Sequence, residues 1–274
     1  MVRPKIGIVL GGGGAKAFAH LGIIDELREN KIPIDYIVSS SMGSLVGVLI
    51  ANNVSSEEIK KEFYQLTSRV HWLKPTISRR SFMSQAIIIK LLKKLITKKN
   101  IEDLNIPISI VATDLIDGEQ HIFSKGDIIQ AVCASSAYPG IYNPVKIDNM
   151  ILFDGGIVNN IPADICRKKI GKNNIVISCI LDDSFKATEK SLDSQFKILF
   201  RAIYTPVIKS RQKIINKNSD IIIKPFKDFE FTFNSWQEIF KFYNIGKLEE
   251  FYNLGRLETK KHIKQIKKKL NEEK

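Results

Sequence analysis

"GIVLGGGGAKAFAH", residues 7–20, decides what kind of chain this is. Ile8, Val9 and Leu10 make a short apolar strand, Gly11–Gly14 a turn, and the alanines after them the start of a helix. Four consecutive residues without a Cβ let backbone N–H groups come close to another group. A helix N-terminus directly behind such a turn favours negative charge. The stretch therefore reads as an anion cradle. Two kinds of anion fit it, a bound phosphate or the oxyanion that develops in acyl transfer, and the rest of the chain has to discriminate.

Outward from the cradle, strand and helix alternate. "KIGIVL" leads into a helix over about 15–30, "IDYIVSS" is a second strand, and "MGSLVGVLIANN" a second helix. This order implies parallel strands in a layered α/β domain. Residues 56–99 read as helical, with Ser55 or Ser56 as the cap. Further strands are predicted at "IPISIVATDL", "EQHIF", "MILF" and "NIVISCIL". A long helix is predicted over 191–217 and a last strand at "SDIIIKP". We divide the chain into an α/β domain over 1–225 and a helical, basic extension over 226–274, packed on or flanking it.

The totals exclude several classes. At 274 residues the chain can bury a full core, and 44% hydrophobic with 26% charged residues is ordinary for a globular protein. No apolar run reaches the roughly 20 residues that span a bilayer, and the apolar run before the glycines is too short for a signal-peptide core. Cys133, Cys166 and Cys179 are odd in number and lack metal-ligand spacing, so a cytoplasmic setting without a metal is expected. The net charge of +13 is unusual, and residues 256–274 hold eight basic residues against three acids. It permits anionic membrane or acidic partners. Nucleic acid is not expected, because no recognition motif with interleaved aromatics accompanies the charge.

In "AIIIKLLKKLITKK", residues 86–99, Ile87, Ile88, Leu91, Leu92 and Leu95 share one helical face, opposite Lys90, Lys93, Lys94 and Lys98. Such a helix either rests on a lipid surface or packs its apolar face on its own core.

Chemistry enters at "SSSMGS", residues 39–44, between the second strand and second helix. A serine at a strand–turn–helix bend is the geometry of a nucleophile elbow, in which positions two before and two after must be small. Only Ser41 has glycine two residues later, at Gly43; Ser39 stands where the G-x-S-x-G pattern has its first glycine. A serine hydroxyl needs a base. His20, His71, His121 and His262 occupy no recognisable catalytic turn. The alternative is a carboxylate, and "MILFDGGIVNNIP" (150–162) puts Asp154 directly after an apolar strand, followed by Gly155 and Gly156. If that strand runs parallel to the first two, Asp154, Ser41 and the cradle meet at one sheet edge.

Taken in order, "GGGGAKAFAHLGII", "SSSMGS" and "DGGIVNNIP", with "ASSAYPGIYNPV" (134–145) before the last, resemble the patatin-like phospholipases over about residues 5–165. The resemblance extends to Asn160 and Pro162 of the family's D-G-G-x-x-x-N-x-P. It implies a three-layer α/β/α sandwich with a mainly parallel sheet. It also implies a Ser41–Asp154 dyad without histidine acting on a lipid or acyl-ester substrate through an acyl-enzyme. The oxyanion hole would be made from Gly11, Gly12, Gly13 and Gly14, and no cofactor is needed. Lys16 and Met42, beside the cradle and the nucleophile, are assigned to substrate binding, with a plain surface position as the other reading of Lys16.

Two rivals remain in view. Gly12, Gly14 and Ala17 satisfy G-x-G-x-x-A, but a dinucleotide site also needs an acid at the end of the second strand. Here that strand ends in serines, and Asp35 lies at its start. A non-catalytic, membrane-associated scaffold of the same fold would tolerate Ser39.

Overall fold

The computed structural model describes residues 3–69, 84–181, 192–227 and 245–271. Eight strands form one sheet: β1 (Ile6–Leu10), β2 (Tyr36–Ser40), β3 (Ile108–Asp114), β4 (Gln120–Phe123), β5 (Val145–Ile147), β6 (Met150–Asp154), β7 (Ile175–Cys179) and β8 (Ile221–Ile223). The order is β5-β6-β3-β2-β1-β7-β8, with β4 also paired to β3. The pairs β3–β2, β2–β1, β1–β7 and β7–β8 are parallel.

The helices are α1 (Phe18–Glu29), α2 (Met42–Ala51), α3 (Ser56–Arg69), α4 (Ala86–Leu95), α5 (Ile128–Ser135), α6 (Gly156–Asn159), α7 (Ala163–Ile170), α8 (Gln195–Asn218) and α9 (Leu248–Asn271). They cover both faces of the sheet. Alternation along β1 sends Ile6, Ile8 and Leu10 into a core shared with α1, α2, α4, α5 and α9. Val9 points the other way, onto α7 and α8, with Val38, Val111 and Val176 of the neighbouring strands. The result is the three-layer α/β/α sandwich with a mainly parallel sheet.

The condition that the Asp154 strand runs parallel is not met. β6 is antiparallel to β3, with Ala112 opposite Asp154 and Asp114 opposite Leu152. Registers show how the two residues still converge. β4 pairs with Ile110–Thr113 on one edge of β3, so β2, opposite Ile110 and Val111, and β6, opposite Ala112 and Thr113, must share the other edge. β3 overhangs the end of β2, and β6 enters on that overhang from the opposite direction. The C-terminal ends of β2 and β6 therefore meet head-on, Ser41 following one and Asp154 closing the other.

Other differences are local. Residues 96–99 leave the helix after Leu95. β5 joins β6 through a two-residue turn in which Asp148 takes φ 51°, a hairpin that "IDNM" could have signalled. Helices α5 and α7 add to the predicted elements. His71, with the parts of the predicted helical segments that fall in 70–83 and 228–244, lies outside the described residues. In α4, Ile87, Ile88, Leu91 and Leu92 are buried in the core, so the apolar face is taken up by the protein itself. Lys90, Lys93 and Lys94 remain exposed, and Lys94 pairs with Glu62.

Helix α9 lies along α1 at backbone contact. A Cβ added to Gly22 would lie 2.0 Å from the Tyr252 carbonyl oxygen, and one added to Gly255 would lie 2.1 Å from that of Ala19. Around this crossing Arg256 pairs with Glu26 and Glu29, and the Tyr252 hydroxyl donates to Asp25 at 3.0 Å. Because backbone cannot yield as a flexible side chain does, Gly22→Ala is expected to destabilise the fold by about 1–3 kcal/mol, read as a lowered urea midpoint. An unchanged midpoint would mean the crossing is looser than described.

Candidate active site

Ser41 sits between β2 and the first residue of α2 with φ 54° and ψ −137°, a conformation L-residues rarely adopt. The bend is held on both sides. The Ser41 N–H donates to Ser135 Oγ at 2.9 Å, and Ser135 Oγ donates in turn to the Val111 carbonyl at 2.6 Å. Ser44 Oγ donates to the Ser41 carbonyl at 2.6 Å. Gly43 has to be glycine, since a Cβ there would lie 2.3 Å from the Leu10 carbonyl oxygen. Ser39 is fully buried, and among the described residues its hydroxyl has no partner. It faces Gly47 of α2, where an added Cβ would stand in ordinary contact, 3.4 Å from Ser39 Cβ.

Ser41 Oγ donates to Asp154 Oδ2 at 2.6 Å. Asp154 Oδ1 accepts the Gly156 N–H at 2.7 Å, and the Asp154 carbonyl accepts from Thr113 Oγ1 at 2.9 Å. Asp154 is 2% exposed. Burial pushes its carboxyl up to about 6, against the opposing pull of the Ser41 and Gly156 hydrogen bonds and the Arg211 charge. Gly155 is equally constrained, for an added Cβ would lie 2.2 Å from the Val111 carbonyl oxygen.

The four cradle amides are not equivalent. Gly11 N–H donates to the Cys179 carbonyl at 3.3 Å, extending the β1–β7 ladder. Gly12 N–H donates to Asn160 Oδ1 at 3.0 Å. Among the described residues no protein group accepts from the amides of Gly13 or Gly14, and Gly14 adopts φ 58°. Gly12 packs directly on Ser41: a Cβ there would lie 2.5 Å from Ser41 Cβ.

Lys16 is not on the surface. It is 5% exposed, its Nζ 3.5 Å from the Leu181 carbonyl oxygen and 5.1 Å from the Phe226 ring centre. Met42 is partly buried against the core. His20 is buried beneath the cradle, with Nε2 2.8 Å from the Gly11 carbonyl oxygen. Burial holds its imidazole down at about 4, hence neutral. His121 packs on Phe123, and His262 lies beside Glu258. Asp35 is tied to Arg3 and the Ile6 N–H at the far end of β2, where no ribose could reach it from the cradle. Ser135 and Arg211 join the site through the fold. Ser135 lies inside the quoted "ASSAYPG", whereas Arg211 on α8 carries no local cue.

A profile of the patatin-like phospholipase family matches residues 8–167. The chain belongs to that family. Among its relatives is an uncharacterized NTE family protein of Mycobacterium tuberculosis, 36% identical over 161 residues, or 58% of this chain and 44% of that one. The mouse patatin-like phospholipase domain-containing protein 6 is 31% identical over 179 residues, 63% of this chain and 13% of the relative. The chain thus spans less than half the length of these relatives. The crystal structure of VipD from Legionella pneumophila has a TM-score of 0.52 at 15% identity, over 96% of this chain and 67% of that one. That likeness shows the shared fold.

Proposed function

We propose that this patatin-like domain is a lipid acyl hydrolase in which Ser41 is the nucleophile and Asp154 its base. The observation that carries the reading is the 2.6 Å hydrogen bond between them, made from a strained elbow beside two unclaimed glycine amides. Ser41 Oγ attacks the ester carbonyl as Asp154 takes its proton. The oxyanion is received by amide donors of the cradle. Because the N–H groups of Gly11 and Gly12 are engaged within the protein, we assign this role to Gly13 and Gly14. Donors fixed before the reaction are worth of order 3 kcal/mol each. Protonated Asp154 returns its proton to the departing alcohol. It then takes one from the water that cleaves the acyl-enzyme, releasing the carboxylic acid.

A fluorophosphonate probe should label the protein stoichiometrically, and a medium-chain p-nitrophenyl ester should be turned over; a folded protein that does neither would support the scaffold reading. The base works only when ionised, so kcat/KM should rise with pH through about 6 and level off above it. A profile rising instead near pH 4, or flat from 5 to 8, would remove Asp154 as the base.

The division at residue 225 and the lipid-surface role also belong to this proposal. α9 braces the catalytic unit through α1, and Lys90, Lys93 and Lys94 supply a charged face for an anionic membrane. Among the described residues no helix is long and apolar enough to cross a membrane. Co-sedimentation with anionic vesicles is expected to fall steeply between low and physiological salt. Binding indifferent to salt would set the electrostatic part aside.

A further inference from the structure

His20 and Asn160 hold one peptide group from its two ends. The peptide joining Gly11 to Gly12 carries the Gly11 carbonyl and the Gly12 N–H, and it is rigid and planar. The carbonyl accepts from His20 Nε2–H at 2.8 Å, while the N–H donates to Asn160 Oδ1 at 3.0 Å. His20 comes from α1 and Asn160 from the turn after α6, so two elements far apart in the chain clamp the same plane. Fixing that plane leaves only the dihedrals beyond it to aim the following amides. The plane also touches the nucleophile, through Gly12 against Ser41.

We propose that His20 and Asn160 are positioning residues that set the aim of the Gly13 and Gly14 amides at the oxyanion, an inference that rests on the hydrolase reading above. The state of the histidine supports it. A carbonyl oxygen can only accept, so the proton sits on Nε2, and Nδ1 is left buried with no partner among the described residues. A leucine would fill this space without stranding a ring nitrogen, so the bond to Gly11 is what a histidine adds here. Asn160 is likewise 7% exposed and turned inward onto the cradle.

The test is a kinetic cycle on the full chain with a soluble p-nitrophenyl ester, using His20→Leu, Asn160→Ala, their double variant and His20→Gln. Each single variant should lose roughly 10- to 100-fold in kcat with KM changed less than about threefold, as expected for donors displaced by about an ångström. Affinity for a trifluoromethyl ketone, which places an oxyanion in the same hole, should fall in parallel. Because both side chains act through one plane, the double variant should lie within about threefold of the worse single. His20→Gln, which keeps a donor at similar reach, should recover to within about fivefold of wild type. Full additivity overturns the proposal, as does a lowered melting temperature with kcat of the folded protein unchanged. Failure of the Gln variant to recover while folded does so too. A wild type that neither turns over ester nor labels at Ser41 removes the hydrolase reading itself, and this proposal with it.

Discussion

Ser41→Gly is expected to abolish turnover and probe labelling, and yet to be more stable than Ser41→Ala by about 1 kcal/mol. Loss of the nucleophile should lower kcat by at least about 10⁴-fold, leaving whatever the amide donors and binding supply alone. The stability order follows from the backbone. Both variants lose the hydroxyl and its bond to Asp154, so they differ only in the Cβ. At φ 54° a Cβ is strained, by roughly 1–3 kcal/mol, and glycine is released from that strain. At a helix-compatible φ the order reverses, because glycine leaves a freer unfolded chain. Urea unfolding of the two variants gives the answer. If the alanine variant is the more stable, the elbow is relaxed, and the serine owes nothing to its backbone.

Asp154→Asn should cost at least about 10³-fold in kcat/KM and stabilise the protein above neutrality. The sign follows from the direction of the shift. The folded carboxyl titrates at about 6, above its ordinary 3.8, so folding favours the protonated form. The stability contributed by that form is complete below about pH 4 and lost as pH rises through 6. The gap corresponds to about 3 kcal/mol at pH 7. Asparagine resembles the protonated acid at every pH, accepting from Gly156 while donating toward Ser41. Unfolding curves of the two proteins should therefore run together at pH 4 and diverge in the variant's favour from 4 to 6, staying apart above. Curves parallel across the whole range would mean that Asp154 is not held out of water. Keeping a carboxylate ionised in a dry site thus works against the fold, as strain at functional sites commonly does.

What could be read from the chain was whatever neighbouring residues decide. Branched residues beside Gly11–Gly14, a serine with glycine two places on, and an Asp-Gly-Gly after an apolar strand are local patterns, and the first layers of the fold follow from them. Strand direction is not local: "MILFD" is apolar enough to lie either way, and only the overhang of β3 makes it antiparallel. The difference among the four cradle amides was equally hidden, since Cys179 and Asn160 claim two of them from about 150 residues away. Lys16 was open between surface and site because a lysine's environment is made by what folds over it, here Leu181 and Phe226.

The end-to-end meeting of β2 and β6 has a consequence for how such a chain can change over generations. Separation between alcohol and acid is measured along β3, not along the intervening sequence. Loops inserted between α2 and β3, or at the tip joining β3 to β4, can lengthen freely while the two side chains stay together. A single residue deleted inside β6 would turn the aspartate to the opposite side of the sheet, and two would carry it about 7 Å away. Lineages descended from this chain should therefore accumulate length variation between the two residues and almost none within the five positions that end at the aspartate.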